Sequence, residues 1–331
     1  MGGPGLPSGW AGGPLGWWAP GWRRDAGQRG VTRGNAAWRG ATRRDAGHRG
    51  VLAGARDTWL VSDQEQEWLP AGRMTSGIVR RGDRIWRPMG PWSPAVHEYL
   101  RYLEEAGFGG APRVLGVDSD LEVLSYLPGE VAADPHWQPG HGHHLPEFAT
   151  TDEALSGAAR LIRELHEAAS GFRPVRTGYR FHPHPPLPGE IVCHGDLGPW
   201  NTVYHEGLPT GFIDWDGAGP ATPLADLAAA AWVFVPLAPA AQLAEAGFAG
   251  GERDALRRMA GRLALFASAY GLADPRAILP ELPNGLLISV ENIRYLAPDA
   301  AGAADKLVHT AGQLRFIHSM MPVLASAMER L

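Results

Sequence analysis

The chain has 331 residues, 44% hydrophobic and 20% charged. That is enough for one two-lobed unit of about 250 residues or two domains, and too apolar for disorder throughout. One cysteine, Cys193, excludes a disulfide scaffold and a cysteine-based zinc cluster, and a net charge of −5 argues against a dedicated nucleic-acid binder.

Residues 1–60 stand apart. They hold 15 Gly, six Trp, nine Arg and three Asp, without helical or strand periodicity, so no core is expected there. Residues 23–34 recur at 43–54 with nine of twelve positions identical, too few copies for a stacked repeat fold. Three readings fit this stretch: an RNA- or anion-binding segment, a disordered extension, or a start site placed too early, with ordinary composition beginning near Val61. The start carries no basic leader with an apolar run, so a cytoplasmic location is expected.

Short strands are expected at 78–80 and 84–87, joined by the turn Arg81-Gly82-Asp83. A helix follows at 94–106, with Val96, Tyr99, Leu100 and Leu103 on one face and Gly107 stopping it. Strands at 114–117 and 122–127 complete a small lobe, assigned to 61–128. From 129 to 331 the chain reads as a larger helical lobe. Its parts are a Pro/His/Gly-rich loop at 133–150, an amphipathic helix at 152–169, a strand at 191–193 and a hairpin of 202–204 with 211–213. The apolar run 227–243 contains Pro236 and Pro239 and reads as buried helix and loop rather than a membrane span. His136, His141, His143 and His144 lack the fixed spacing of a metal site and read as a surface loop, and His166 as a packed helix residue. The fold class expected is α+β, bilobal, with an antiparallel small lobe and a mainly helical large lobe.

The segment 193–219 carries the chemistry. Phosphoryl transfer needs a carboxylate to orient a hydroxyl and take its proton, and oxygen ligands to hold magnesium against phosphates. Asp196 and Asn201 lie five apart on a turn, and Asp214 follows at the end of a hairpin strand. His194-Gly195-Asp196-Leu197 with Asn201, followed by Ile213-Asp214-Trp215-Asp216, resembles the signature of the aminoglycoside phosphotransferase family, which includes choline-kinase-like enzymes. The segment from Leu69-Pro70-Ala71-Gly72 to Ser76, Val79 and Arg80 resembles that family's nucleotide-covering strand–loop–strand, and residues 124–130 its interlobe hinge.

The resemblance implies an ATP- and Mg2+-dependent small-molecule kinase acting on a hydroxyl-bearing substrate, and charge and hydropathy lead us to expect no nucleic-acid or membrane partner. It implies Asp196 as catalytic base, Asn201 and Asp214 as metal ligands, backbone groups of Ser125 to Leu127 at the adenine, and His194 and Asp216 in support. Asp226 is expected to fix the large lobe. Where the family places a phosphate-binding lysine this chain offers Arg87, and its one lysine is Lys306. The helix glutamate that should orient that cation is not evident: Glu98 is out of register and His97 is the other candidate. The missing lysine also fits a second expectation, a non-catalytic nucleotide-binding module of the same fold.

Overall fold

Five short segments build one antiparallel sheet: β1 (Gln66–Trp68), β2 (Val79–Arg81), β3 (Arg84–Pro88), β4 (Val114–Asp118) and β5 (Leu121–Ser125). The order across it is β1-β2-β3-β5-β4. The computed structural model describes residues 66–69, 77–133, 144–248, 250–287 and 303–331. Residues 1–60, residues 70–76 and three of the four histidines discussed above, His136, His141 and His143, lie outside the described residues. Those described fall within one unit, Leu60–Leu331.

The β2–β3 turn is tight, with Arg81 paired to Arg84 and Gly82 at φ +61°. Helix α1 (Ser93–Glu105) starts with a proline in its first turn, where a missing N–H costs nothing, and buries Val96, Tyr99, Leu100 and Leu103 as the periodicity expects. Gly107, at φ +82°, ends it. The sheet and α1 are joined to the rest by apolar packing and by polar contacts that include a buried bond, Tyr99 Oη donating to the Val192 carbonyl at 2.6 Å.

After Ser125 the chain leaves this sheet. Strand β6 (Glu130–Val131) pairs with β8 (Thr202–His205), which pairs with β9 (Leu208–Phe212) around the turn Glu206-Gly207. Strand β7 (Ile191–Cys193) pairs with β10 (Gly219–Ala221). The large lobe is otherwise helical: α2 (Asp152–Ala169), α3 (Pro223–Phe234), α4 (Ala240–Glu245), α5 (Glu252–Tyr270) and a C-terminal helix Ala303–Met328. Thr151 and Thr222 cap α2 and α3 by accepting from the Ala154 and Ala225 amides. Leu155, Ala158, Ile162 and Leu165 of α2 and Leu263 and Phe266 of α5 share one core. The run 227–243 is divided between α3 and α4, with Leu227, Leu237 and Leu243 buried. Among the described residues no helix is long and apolar enough to cross a membrane.

Candidate active site

Strand β7 delivers the chain into the loop His194-Gly195-Asp196 through a narrow gap. Gly195 has φ +77°, and a Cβ there would lie 2.1 Å from the Gly217 carbonyl oxygen. Only glycine passes so close to a backbone oxygen in that conformation. The loop is pinned from below by its own imidazole. His194 is fully buried, accepts from the Asp196 amide at Nδ1 (3.3 Å), and so donates from Nε2 to the Ile213 carbonyl (3.0 Å). Burial pushes its pKa down to about 4, so it is neutral at physiological pH and does not move protons.

A second buried anchor lies beside it. Asp226 on α3 accepts from the Gly195 amide (3.2 Å) with one oxygen and meets His166 Nε2 (3.1 Å) with the other. His166 Nδ1 in turn meets Tyr270 Oη (2.9 Å). Cys193, His166 and Asp226 come within metal-binding distance of each other, but both His166 nitrogens and both Asp226 oxygens already have protein partners. The trio therefore holds the loop to the helical core.

Asp196 is exposed at the loop's tip. Asn201 fixes it, its Nδ2 donating to the Asp196 carbonyl (2.8 Å) and to Oδ2 (2.9 Å), which turns the amide oxygen of Asn201 away from Asp196. The Asn201 carbonyl accepts from the Ile213 amide (2.9 Å), bringing Asn201 beside Asp214. Asp214 adopts the left-handed region at φ +61°, a conformation that costs most residues energy and that aspartate tolerates. Its side chain is 40% exposed. Desolvation raises its pKa, against the pull of Arg87.

Arg87 is 6% exposed, a buried strand arginine rather than a solvent-facing one. Its guanidinium meets three carboxylates: Glu122 at 3.0 Å, Asp214 at 3.3 Å and Asp216 at 2.6 Å. Burial lowers its pKa, but Asp216, Asp214 and Glu122 together outweigh that and raise it. Glu98 does not orient this cation: its carboxylate accepts from the Val175 and Arg176 amides. The orienting glutamate is Glu122 on β5, which His97 of α1 meets at 2.5 Å. So His97 does face the cation's partner, through Glu122.

Two residues of this constellation were not anticipated. Glu122 becomes legible only once the β3–β5 register is known. Arg180, in the irregular segment between α2 and β7, contacts Asp216 at 3.5 Å and has no sequence signal of its own. Ser125 and Leu127 lie where β5 runs out. The Ser125 amide bonds to Arg113 and the Tyr126 amide to Asp83, while the Leu127 amide has no backbone partner among the described residues.

For magnesium, Asp214 and the amide oxygen of Asn201 supply the hard oxygen donors that ion prefers, and the Asp214 side chain is 40% exposed, so the residues fit.

Residues 179–262, which contain this whole loop, match the APH model, the phosphotransferase enzyme family. The fold is similar to that of a choline/ethanolamine kinase family protein from Mesorhizobium loti, at 18% identity, TM-score 0.50, over 81% of this chain and 92% of that one. It is equally similar to aminoglycoside 2'-phosphotransferase-IIIa in its GDP complex, at 14% identity, TM-score 0.50, over 77% and 94%. A trifolitoxin immunity protein of Rhizobium leguminosarum bv. trifolii is 36% identical over 168 residues, 49% of this chain and 59% of that protein. The matched stretch thus spans little more than half of that relative. The resemblance expected from the His194–Asp216 motif holds, and the fold is the bilobal, kinase-like α+β fold of these phosphotransferases.

Proposed function

We propose that the protein is an ATP- and Mg2+-dependent phosphotransferase that moves the γ-phosphoryl group to a hydroxyl of a small molecule. The observation that carries this reading is Asp196 held by Asn201, Asn201 bonded next to Asp214, and Asp214 paired to a buried Arg87. Asp196, held by Asn201, orients the acceptor hydroxyl and takes its proton as the oxygen attacks the γ-phosphorus and ADP leaves. Asn201 and Asp214 hold magnesium, which neutralises the phosphate charge when bound. Arg87 grips phosphate oxygens through its fork, in the role a lysine would have. Leu127 offers its amide to the nucleotide base, next to Ser125 at the strand end. His194 and Asp216 support the loop and the cation. We assign residues 61–128 to the small lobe and 129–331 to the large lobe.

The name of the 36% relative suggests one acceptor class, a hydroxyl-bearing toxin that phosphorylation would inactivate. A second reading, a nucleotide-binding module without transfer, is favoured by one fact: Arg87 is tied to three carboxylates rather than left open to phosphate. Calorimetric titration of ATP with and without magnesium, followed by a search for phosphorylated product, separates them. Magnesium-dependent binding with a phosphorylated acceptor supports transfer. Binding without product from any hydroxyl-bearing acceptor supports the module, and no binding at millimolar ATP sinks both.

A further inference from the structure

Two guanidinium groups converge on one carboxylate oxygen. Asp216 Oδ2 lies 2.6 Å from Arg87 Nη2 and 3.5 Å from Arg180 Nη1. Arg180 reaches it from the irregular segment that precedes β7, so the loop leading to His194 carries its own cation into the site. Its plane is held by aromatic rings, 4.1 Å from the Trp92 centroid and 5.3 Å from that of Phe181. Trp92 is the N-terminal cap position of α1, so Arg180 joins the large lobe to the end of the small-lobe helix. Arg180 Nη1 is buried, and its 3.5 Å approach to Asp216 Oδ2 does not form a hydrogen bond. A buried charged N–H that lacks a well-formed hydrogen bond is costly unless a ligand supplies one. Arg87 also repels it across the shared oxygen, while Asp216 and Asp214 attract it.

We propose that Arg180 is the second cation of the phosphate site, resting on Asp216 and Trp92 and recruited by the terminal phosphate of a nucleoside triphosphate. The proposal rests on the phosphotransferase reading. The cluster holds three carboxylates, Glu122, Asp214 and Asp216, against two arginines. A triphosphate adds oxyanions that compete with Asp216 for both forks, and a guanidinium matches phosphate geometry with paired hydrogen bonds. A small lobe without lysine thus gains a pair of arginines, one from each lobe.

The test compares MgATP and MgADP binding by calorimetry in the full chain, for the wild type, Arg180→Gln and Arg180→Lys. Loss of a charge-assisted contact to the terminal phosphate weakens MgATP by about tenfold or more in Arg180→Gln, with MgADP within about twofold of wild type. Arg180→Lys, which keeps the charge but not the fork, falls between them. Equal losses for both nucleotides, or none, overturn the proposal and leave Arg180 a packing residue against Trp92. If Arg180→Gln melts early, Arg180→Lys alone decides: undiminished MgATP selectivity over MgADP supports a point-charge contact, and a loss shared by both nucleotides overturns it. A wild type that binds neither nucleotide overturns the phosphotransferase reading itself, a result distinct from any change at residue 180.

Discussion

Glu122 stands directly opposite Arg87 in the β3–β5 register, and their side chains share one face of the sheet with 3.0 Å between carboxylate and Nε. Cross-strand pairing therefore replaces the helix glutamate as the device that aims the cation. His97 reaches the same carboxylate from α1, so the helix still contributes, one contact further away.

Removing Arg87 should be expensive. Arg87→Ala leaves Glu122 with His97 and Asp216 with the more distant Arg180, and breaking a buried ion-pair network in this way costs about 3–5 kcal/mol. Urea unfolding of the variant should show that loss, and Glu122→Gln combined with Arg87→Ala should recover part of it. A change below about 1 kcal/mol in the single variant would show that the carboxylates find other partners or take up protons.

Asp196→Ala should cut turnover by about 10²–10⁴-fold while leaving MgATP affinity nearly intact, because Asp196 is exposed at the loop tip and bonded through Asn201. Asp214→Ala should instead abolish the magnesium dependence of nucleotide binding. Single-turnover kinetics and calorimetry distinguish the two patterns, and near-normal turnover in Asp196→Ala would remove it from the role of base.

Gly195→Ala should damage the loop without unfolding the core. The added Cβ meets the Gly217 carbonyl at 2.1 Å in a left-handed conformation, so one backbone segment must move. A strained position of this kind costs about 1–3 kcal/mol. Loss of nucleotide turnover with a cooperative but lowered melting transition is the expected result. Full activity would mean that the 215–217 turn gives way freely.

Acid should weaken the fold through His194. Its folded pKa is about 4 against an ordinary 6.5, so between those values the unfolded chain binds the extra proton. The stabilisation is complete above pH 6.5 and is lost as the pH falls toward 4, by up to about 3 kcal/mol. Denaturant unfolding from pH 7 to 4.5 should show this slope, and His194→Asn should flatten it. An identical slope in the variant would assign the acid sensitivity to other groups.

Much of the site was legible from local pattern. The run from His194 to Asp216 is contiguous, and its turn residues, strand ends and spacing are set by nearest-neighbour backbone geometry. The amphipathic faces of α1 and α2 and the hairpin at Glu206-Gly207 follow from periodicity and turn chemistry in the same way. Strand ends moved by a residue or two, as at β5, which ends at Ser125 rather than 127.

What the sequence by itself determined, then, was the kinase-like class and the loop that carries Asp196, Asn201 and Asp214, because those features are encoded within short stretches of chain. The partners of the cation were decided only by tertiary structure. Arg87, Glu122, Asp216 and Arg180 come from four separate segments, and their meeting depends on strand register and on how the segment before β7 folds over Trp92. Charge pairing at that range follows three-dimensional distance, which no local spacing in the chain records.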